Sequence, residues 1–518
     1  MHSAPPAPPE PPASQRPDAA ARTDPSTAAP ERRRTRSAEA LPPLGPVAYP
    51  LLGELLLGVG VGLVATLLAS RVSDTSAAAL GLTGHLTTLL FILFRVIGAG
   101  VSVVVAQGLG SATDGATGGT AAGGSAAQAV ARASLGASTW AGLLIALATA
   151  VLAQPLLRLM NAPDAVFALA FPLLIWLAPA MLLDAWNAAL ASVTRAHLHG
   201  QAALRVIVIV NAVHLGLAAL LMLGTPALPG TGMAFPALGL TGFAIAMLVS
   251  RIVGVALHLW VWRSKLNLVP QWSDWWTLPW KKLDGVLRIG IPAAAESVLY
   301  RVCFMVSVAV AGQLGAQGLA AQAYVLQINY LTLMAGLSIG LAAEIVVGHL
   351  AGAGRLHVAD RLVRRALARA LLLSGLVAGA AALLGPWLMR LFTQDEAIIA
   401  LAVKLLALSV LLELGRSFNL VVINALRGVG DVKFPFAAGA TSMVLVLAGA
   451  SWWLGARLAD STGGTLGPLG WGLVGVWLAY AADEWVRGLI MWGRWRSRAW
   501  VPLAHAARRR ARRAAQPG

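Results

Sequence analysis

Charged residues are scarce in this sequence, and several long stretches contain none at all. Asp, Glu, Lys and Arg make up 12% of the 518 residues, whereas hydrophobic residues make up 58%. In soluble globular chains about a quarter of the residues are charged. The uncharged stretches include residues 55–68, 137–153 and 371–384, and apolar runs of about 20 residues are typical of helices that cross a bilayer. The composition therefore excludes an ordinary soluble domain, and it lacks the short alternating segments of a membrane β-barrel.

The sequence also lacks the usual signatures of catalysis. Cys303 is the only cysteine, so no disulfide can form within the chain. No G-x-x-x-x-G-K-[ST] segment occurs, which argues against an ATP-driven pump, and no G-x-S-x-G segment occurs either. His, Cys and carboxylate residues show no metal-ligand spacing. We therefore expect no enzyme activity, no cofactor and no metal, and no obligate protein partner is evident.

Negative charge is scarcer than positive charge, and the net charge is +17. Much of the excess lies in two tails, where the clustered residues are Arg32, Arg33, Arg34, Arg36, Arg508, Arg509, Arg510, Arg512 and Arg513. Basic segments beside membrane spans are expected to face the cytoplasm and anionic lipids. The charge therefore predicts membrane lipids as partners and no nucleic acid.

Hydropathy predicts an all-α polytopic membrane protein with twelve transmembrane helices. The predicted spans are 48–70, 79–106, 126–154, 166–193, 203–224, 235–262, 285–312, 319–348, 361–385, 397–425, 434–456 and 467–492. With both termini inside, the inner connections hold fourteen Lys and Arg residues and the outer connections four. By the positive-inside rule we expect a multi-pass protein of the cell inner membrane with both termini in the cytoplasm.

The predicted domain organisation follows from these spans. We expect a disordered basic cytoplasmic tail over 1–46, an N-terminal six-helix lobe over 47–262, an interfacial linker over 263–284, a C-terminal six-helix lobe over 285–495 and a basic cytoplasmic tail over 496–518. The linker is rich in tryptophan, which favours the headgroup region of a membrane; its tryptophans are Trp272, Trp275, Trp276 and Trp280.

The two predicted lobes are internal repeats. Each begins with a Pro-x-x-x-Glu segment, at Pro50 and again 242 positions later at Pro292. The same offset persists to Gly110 and Gly352, and after a Gly-rich loop an offset of 232 positions holds through the fourth helix. Because each repeat has six spans, both lobes insert in the same direction. We expect two six-helix bundles related by a pseudo-two-fold axis along the membrane normal, with a cleft between them.

Over residues 47–495 the chain resembles the multidrug and toxic compound extrusion (MATE) family of the MOP flippase superfamily. The segments that carry the resemblance are Pro50-x3-Glu54 leading to Ser70-Arg71, Val105-Ala-Gln-Gly-Leu-Gly110 and Asn424-Ala-Leu-Arg-Gly-Val-Gly-Asp431. The resemblance implies an antiporter that exports cationic or amphipathic compounds in exchange for H⁺ or Na⁺ by alternating access. Many family members carry an aspartate in the middle of the first helix, where this sequence has Ala65; the repeat counterpart is Ser307.

Coupling to a cation must therefore use other charged residues within the membrane. Burying such a charge in the bilayer is unfavourable unless the side chain is paired or hydrated. The candidates are Glu54, Glu296, Glu413 and Arg416. The resemblance implies a sodium-binding glutamate on the seventh helix and an acid on the tenth, where Glu296 and Glu413 lie. Glu54 and Glu296 are also explained as acids in the first turn of a helix that begins with proline. Glu413 and Arg416 are also explained as a structural ion pair.

The candidates for the substrate cleft are Asp184 and Asn187 on the fourth helix, Arg301 on the seventh and Asn419 on the tenth. We expect a small-molecule substrate and a secondary antiporter of amphipathic or cationic organic compounds. A lipid-linked saccharide flippase of the same superfamily is the first alternative. An intramembrane enzyme is the second, and it would require an acid–base constellation on adjacent helices.

Overall fold

The computed structural model describes residues 42–112, 120–224, 236–313, 315–456 and 469–513, which form one compact unit. Within these ranges the regular structure is helical throughout, and no strand occurs. Most of the tail predicted over 1–46 lies outside the described residues, as does the predicted outer loop near 225–234.

The first lobe contains six long helices, which follow the apolar runs of the sequence. Their bounds are α1 Gly45–Val72, α2 Asp74–Ala112, α3 Thr120–Leu159, α4 Asp164–Ala196, α5 Gly200–Leu223 and α6 Gly239–Lys265. A single 3₁₀ turn, Trp272–Trp275, lies in the connection to the second lobe.

The second lobe repeats this order. Its helices are α7 Trp280–Gln313, α8 Gly315–Gly352, α9 Leu356–Leu383, α10 Glu396–Gly428, α11 Lys433–Gly455 and α12 Leu473–Arg496. A short helix, Gly385–Arg390, precedes α10, and α11 widens to a π-helical turn over Met443–Ala450. A further helix, α13, covers Val501–Arg513.

Ten of the twelve long helices are long and apolar enough to cross a membrane by their described residues. The two others are α2 and α12. The segment Val96–Ala112 of α2 is apolar, and α12 is less apolar because it carries Asp483, Glu484 and Arg487. Those three side chains are buried in the protein, so their charge does not exclude α12 from the bilayer.

Several helix bounds differ from the predicted spans because hydropathy does not mark the polar ends of long helices. α1 already begins at Gly45, inside the predicted tail, and α2 exceeds its predicted span at both ends. α7 begins at Trp280, inside the predicted linker. The predicted C-terminal tail contains α13, whose Ala504 and Ala507 are buried against the bundle.

Each lobe has its own apolar core. In the first lobe, buried side chains of all six helices pack together around Leu173, Met222 and Phe243. In the second lobe the core surrounds Leu405, Val476 and Trp477. A matching pair of contacts supports the repeat: a Cβ at Gly242 would lie 2.6 Å from the carbonyl carbon of Leu221, and one at Gly475 would lie 2.6 Å from that of Leu454.

The two lobes meet at one end of the bundle, the end at which α6 stops and α7 starts, here called the linker end. A Cβ at Gly110 of α2 would collide with the carbonyl oxygen of His349 on α8, and one at Gly352 would collide with that of Gln107. The two contacts are repeat equivalents of each other. Only glycine permits this backbone approach. The lobes are therefore closed against each other at the linker end.

Candidate functional site

Two equivalent ion pairs lie near the linker end, one in each lobe. In the first lobe Arg195 Nη1 donates to Glu54 Oε2 at 2.9 Å, and in the second Arg427 Nη2 donates to Glu296 Oε2 at 2.5 Å. Both pairs join the first helix of a lobe to the end of its fourth helix. The repeat offsets of 242 and 232 positions relate the acids and the arginines, respectively. The structure thus gives both predicted glutamates an arginine partner.

A second equivalent pair joins the fourth and sixth helices of each lobe, and its charges are reversed between the lobes. Asp184 Oδ1 of α4 lies 2.6 Å from Arg251 Nε of α6. At the repeat-equivalent positions, Arg416 Nε of α10 lies 3.4 Å from Glu484 Oε1 of α12. This pairing was not among the predictions from the sequence, although the offset of 233 positions between Gly242 and Gly475 also relates Arg251 to Glu484.

The second lobe surrounds its pair with further charges, which form the C-lobe charge cluster. Its members are Glu413, Arg416, Asp483, Glu484 and Arg487. Arg416 Nη1 donates to Glu413 Oε1 at 2.5 Å, and Arg487 Nη2 lies 2.6 Å from Asp483 Oδ2 and 3.1 Å from Glu484 Oε1. All five residues are buried.

Two neutral side chains complete the hydrogen bonding of the C-lobe charge cluster. Asn419 Nδ2 donates to Glu484 Oε2 at 2.9 Å, and Ser442 Oγ donates to Asp483 Oδ1 at 2.6 Å. Both acids of α12 thereby have partners on each carboxylate oxygen. The cluster links α10, α11 and α12.

Glu413 differs from the two acids of α12. Its side chain is 1% exposed, and its Oε2 accepts no hydrogen bond from any described residue. The C-lobe charge cluster contains three carboxylates and two guanidinium groups, so one negative charge is in excess when all are ionised. A buried, uncompensated carboxylate is unfavourable, and a bound proton or cation would relieve it. Glu413 is the acid with a free acceptor atom for that purpose.

The Glu296–Arg427 pair lies close to the C-lobe charge cluster. A Cβ at Gly439 of α11 would be 4.0 Å from Glu296 Cδ and also 4.0 Å from Arg487 Cδ. Ionic groups therefore follow one another from the linker end, through Glu296 and Arg487, to Arg416 and Glu413. The first lobe has no equivalent of this series among its described residues, because the offset of 233 positions that relates Arg251 to Glu484 puts Gly254 at the position of Arg487.

The predicted cleft residues occupy different environments. Asn187 donates to the carbonyl oxygens of Leu183 and Arg251 at 2.9 and 3.0 Å. With Asp184 it lies between α4 and α6, and Asn419 lies between α10 and α12, so these three candidates are inside lobes. Arg301, in contrast, is exposed on α7, and it forms no ion pair with any described residue.

Ala65, where the resemblance implies an acid, and its repeat counterpart Ser307 are also buried. Ala65 is 6% exposed and belongs to the apolar core of its lobe. The Ser307 hydroxyl is hydrogen-bonded to the Tyr480 hydroxyl, which also accepts from Gln322 Nε2 at 3.4 Å. Neither position offers a charge. Among the described residues, no group of three or more His, Cys, Asp or Glu side chains could hold a metal ion.

Comparison with known proteins identifies a matching family. The MatE family model matches residues 50–223 and 292–452, which lie in the first and second lobes. The "Uncharacterized transporter YisQ" of Bacillus subtilis is 29% identical over 459 residues, which cover 88% of this chain and 94% of that protein. The "Probable multidrug resistance protein NorM" of Idiomarina loihiensis is 28% identical over 279 residues, and the match spans 55% of its length.

Solved structures share the fold at low sequence identity. A MOP superfamily transporter from Pyrococcus furiosus superposes with a TM-score of 0.74 at 19% identity, over 88% of this chain and 96% of that one. The MATE transporter VcmN of Vibrio cholerae in its bent form also gives 0.74, at 18% identity, over 90% and 97% of the two chains. The twelve-helix, two-lobe architecture predicted from the sequence is confirmed.

Proposed function

The chain belongs to the MatE family of membrane transporters, and from this premise we propose that it is a secondary antiporter that exports amphipathic organic compounds in exchange for H⁺ or Na⁺. The family makes the chain a multi-pass transporter rather than an enzyme. The exchange mechanism, the substrates and the inner membrane as location are the proposal. Relatives named for multidrug resistance support the export of organic compounds.

The observation that carries the proposal is the excess carboxylate of the C-lobe charge cluster. Coupled antiport requires a site at which the driving ion and the substrate favour different states of the protein. Glu413 lies next to Arg416, which can neutralise it when no cation is bound. Uptake of H⁺ or Na⁺ at Glu413 would free Arg416 to strengthen its contact with Glu484, a change that would reach α12 directly.

The series of ionic groups between Glu413 and Glu296 supports coupling to the linker end. A rearrangement of Arg416 alters the field at Arg487, and Arg487 lies beside Glu296 across Gly439. Glu296 holds Arg427, which belongs to the end of α10 where the lobes meet. We propose that cation binding and lobe closure communicate along this series.

Reconstitution into proteoliposomes tests the antiport. Liposomes loaded with a fluorescent amphipathic dye receive either a pH gradient or a Na⁺ gradient, each without the other. We expect dye movement against its concentration gradient with one of the two ions and none without an ion gradient. Equal dye movement in all three conditions would contradict coupled antiport and would indicate a passive pathway.

A lipid-linked saccharide flippase receives no specific support from the described residues. Beyond the twelve long helices, the described residues form two short helices, Gly385–Arg390 with 6 residues and the strongly basic α13 with 13 residues. Both are too short to cross a bilayer, which takes about 20 residues. We also propose that the protein works among membrane lipids without an obligate protein partner.

A further inference from the structure

Arg301 is a positively charged side chain exposed near the middle of a membrane-spanning helix. It lies 21 residues after the start of α7 and 12 residues before its end. An arginine facing hydrocarbon at this depth is strongly disfavoured, so such residues usually face a water-filled cavity. The surroundings of α7 show which side of the helix carries it.

Arg301 points away from the interior of its own lobe. Its neighbour Tyr300 stacks on Phe304, and Phe304 stacks on Tyr480 of α12, with ring centroids 6.2 and 5.8 Å apart. Cys303, two residues beyond Arg301, is buried in the same core. These residues occupy the inward side of α7, which leaves Arg301 on the outward side.

The crossing of α7 with α2 directs this outward side toward the other lobe. A Cβ at Gly290 of α7 would collide with the carbonyl oxygen of Val96 on α2. Arg301 follows Gly290 by eleven residues, which is about three helical turns. Residues at this spacing share a face of the helix. Arg301 therefore continues the face of α7 that touches α2 at the linker end.

α2 presents an equivalent exposed residue. α2 and α7 are antiparallel, since the contact of Val96 with Gly290 is followed by that of Gly100 with Val286. His85 precedes Val96 by eleven residues and is also exposed. His85 and Arg301 consequently lie about 16 Å from the crossing on facing sides of the two helices. This part of the cleft between the lobes carries two bases.

The acids of the spanning helices do not balance these bases. The helix ends on the side opposite the linker end are set aside here. Elsewhere on the long helices, each described carboxylate is buried or is paired within its own lobe. The buried ones are Asp184, Glu296, Glu344, Glu413, Asp483 and Glu484; Glu54 is paired with Arg195, and at the linker end Asp284 is paired with Arg288 and Asp360 with Arg364. A purely cationic molecule in the cleft would meet Arg301 without a nearby exposed carboxylate, whereas a carboxylate-bearing molecule would find a guanidinium group.

We propose that Arg301 is a substrate-binding residue that makes the cleft select amphipathic molecules carrying a carboxylate, zwitterions included, over purely cationic ones. The inference rests on the proposed export function and names its substrate class. Guanidinium groups bind carboxylates through two parallel hydrogen bonds, a geometry that an ammonium group or a neutral amide does not reproduce. His85 supplies a second donor on the opposite wall.

Rhodamine B and its ethyl ester test this selection because they differ by one carboxylate. Binding of each dye to the purified full-length protein is measured by fluorescence polarisation in detergent, without an ion gradient. We expect the unmodified protein to bind rhodamine B more tightly than the ester. Arg301→Gln should weaken rhodamine B binding by about tenfold or more and change ester binding by less than about twofold.

Two further variants serve as controls. Arg301→Lys should retain part of the preference because it keeps the charge and loses the forked geometry. Lys404→Gln removes a cation that is exposed on α10, and it should affect neither dye. Equal weakening of both dyes by Arg301→Gln, or no weakening, would overturn the proposal.

The comparison of the two dyes on the unmodified protein decides the matter even if a variant fails to fold. Ester binding as tight as rhodamine B binding, or tighter, would overturn charge selection by Arg301. Failure of the antiport is distinguishable, since it would appear as absent gradient-driven dye movement in proteoliposomes. Gradient-driven export of the ester without preference for rhodamine B would contradict the substrate class alone.

Discussion

At the scale of single residues, the repeat conserves some ion pairs and reverses others. The pair at the linker end keeps its acid on the first helix and its arginine on the fourth helix in both lobes. The pair between the fourth and sixth helices exchanges acid and base, from Asp184–Arg251 to Arg416–Glu484. Either order satisfies the two charges, so packing alone does not determine it. The reversal allows the second lobe to collect three acids around two arginines.

Glu413→Gln should abolish gradient-driven efflux and leave the fold intact. Glutamine keeps the shape of the side chain and an oxygen that can accept from Arg416, and it leaves two acids against two arginines in the C-lobe charge cluster. We expect transport to fall by at least about tenfold, since a neutral residue cannot exchange a cation. The measurement is efflux from proteoliposomes at equal protein content, together with the thermal unfolding temperature.

Glu396→Gln is the matched control because Glu396 lies at the start of the same helix and is exposed. A purely structural Glu413–Arg416 pair predicts a different pattern. Breaking it would cost about 3–5 kcal/mol in the free energy of unfolding, and Glu413→Gln/Arg416→Met would restore both stability and transport. Full efflux by a folded Glu413→Gln protein would contradict cation coupling at this residue.

Glu296→Gln and Glu54→Gln form a second matched comparison. Both remove the acid of an equivalent ion pair, so both should lower stability, by about 3 kcal/mol. Only Glu296 lies beside Arg487 of the C-lobe charge cluster. We therefore expect Glu296→Gln to reduce coupled efflux and Glu54→Gln to leave it close to normal when the folded fraction is equal. Equal losses of efflux in the two variants would contradict a coupling role for Glu296 that Glu54 does not share.

At the scale of helices, close approach of α2 and α8 closes the linker end. Gly110 and Gly352 contact the backbone of the opposite helix, and Gln107 Nε2 donates to the carbonyl oxygen of Gly428 at 2.8 Å. The α2–α8 contact lies between repeat-equivalent helices. The position of α13 adds to the closure, because Ala507 lies near Gly430 at the end of α10.

Gly110→Ala should open the linker end. The added methyl group would collide with the carbonyl oxygen of His349, and backbone cannot move aside as a flexible side chain can. We expect Ala351→Cys, buried at the same contact, to react several-fold faster with a maleimide when Gly110→Ala is present. The measurement uses a Cys303→Ser background.

Gly58→Ala is the control for this change. A Cβ at Gly58 of α1 meets no atom within 4 Å, and alanine favours a helix by up to about 1 kcal/mol over glycine. Labelling of Ala351→Cys should therefore stay unchanged with Gly58→Ala. An unchanged labelling rate with Gly110→Ala as well would show that the α2–α8 contact does not hold the linker end closed.

At the scale of the whole molecule, the basic residues predict how the two lobes lie in the membrane. The linker end carries α13 and the tryptophan-rich connection, where Trp272 is 77% and Trp280 65% exposed. Tryptophan beside lysine is typical of the membrane–water interface. From the fourteen-to-four distribution of basic residues we predict that this end lies in the cytoplasm.

Fusions of alkaline phosphatase and a fluorescent protein measure this orientation. At Gly518 we expect an inactive phosphatase and a fluorescent reporter, and within residues 225–234 the reverse. The physical reason is that short connections rich in Lys and Arg stay on the cytoplasmic side. An active phosphatase at Gly518 would contradict the orientation and would place the closed linker end outside.

Much of the architecture could be predicted from the sequence because the signals are local or periodic. A membrane helix is recognised from about 20 apolar residues, and the repeat appears as an offset that stays constant from Pro50 to Gly110. The segments that resemble the MATE family add the arrangement of two lobes. The sequence alone thus determined the class, the twelve spans, the two repeats and the acids that are candidates for coupling.

Which charges meet depends on how the helices pack, and this the sequence did not reveal. Arg251 pairs with Asp184, and Glu484 with Arg416, because two helices far apart in the chain pack with particular faces together. Hydropathy does not specify helix rotation, which depends on side-chain packing along the whole interface. For the same reason, the structure was needed to show that Arg301 points away from the core of its lobe, whereas Asn187 and Asn419 lie inside their lobes. It was also needed to show that the linker end is closed.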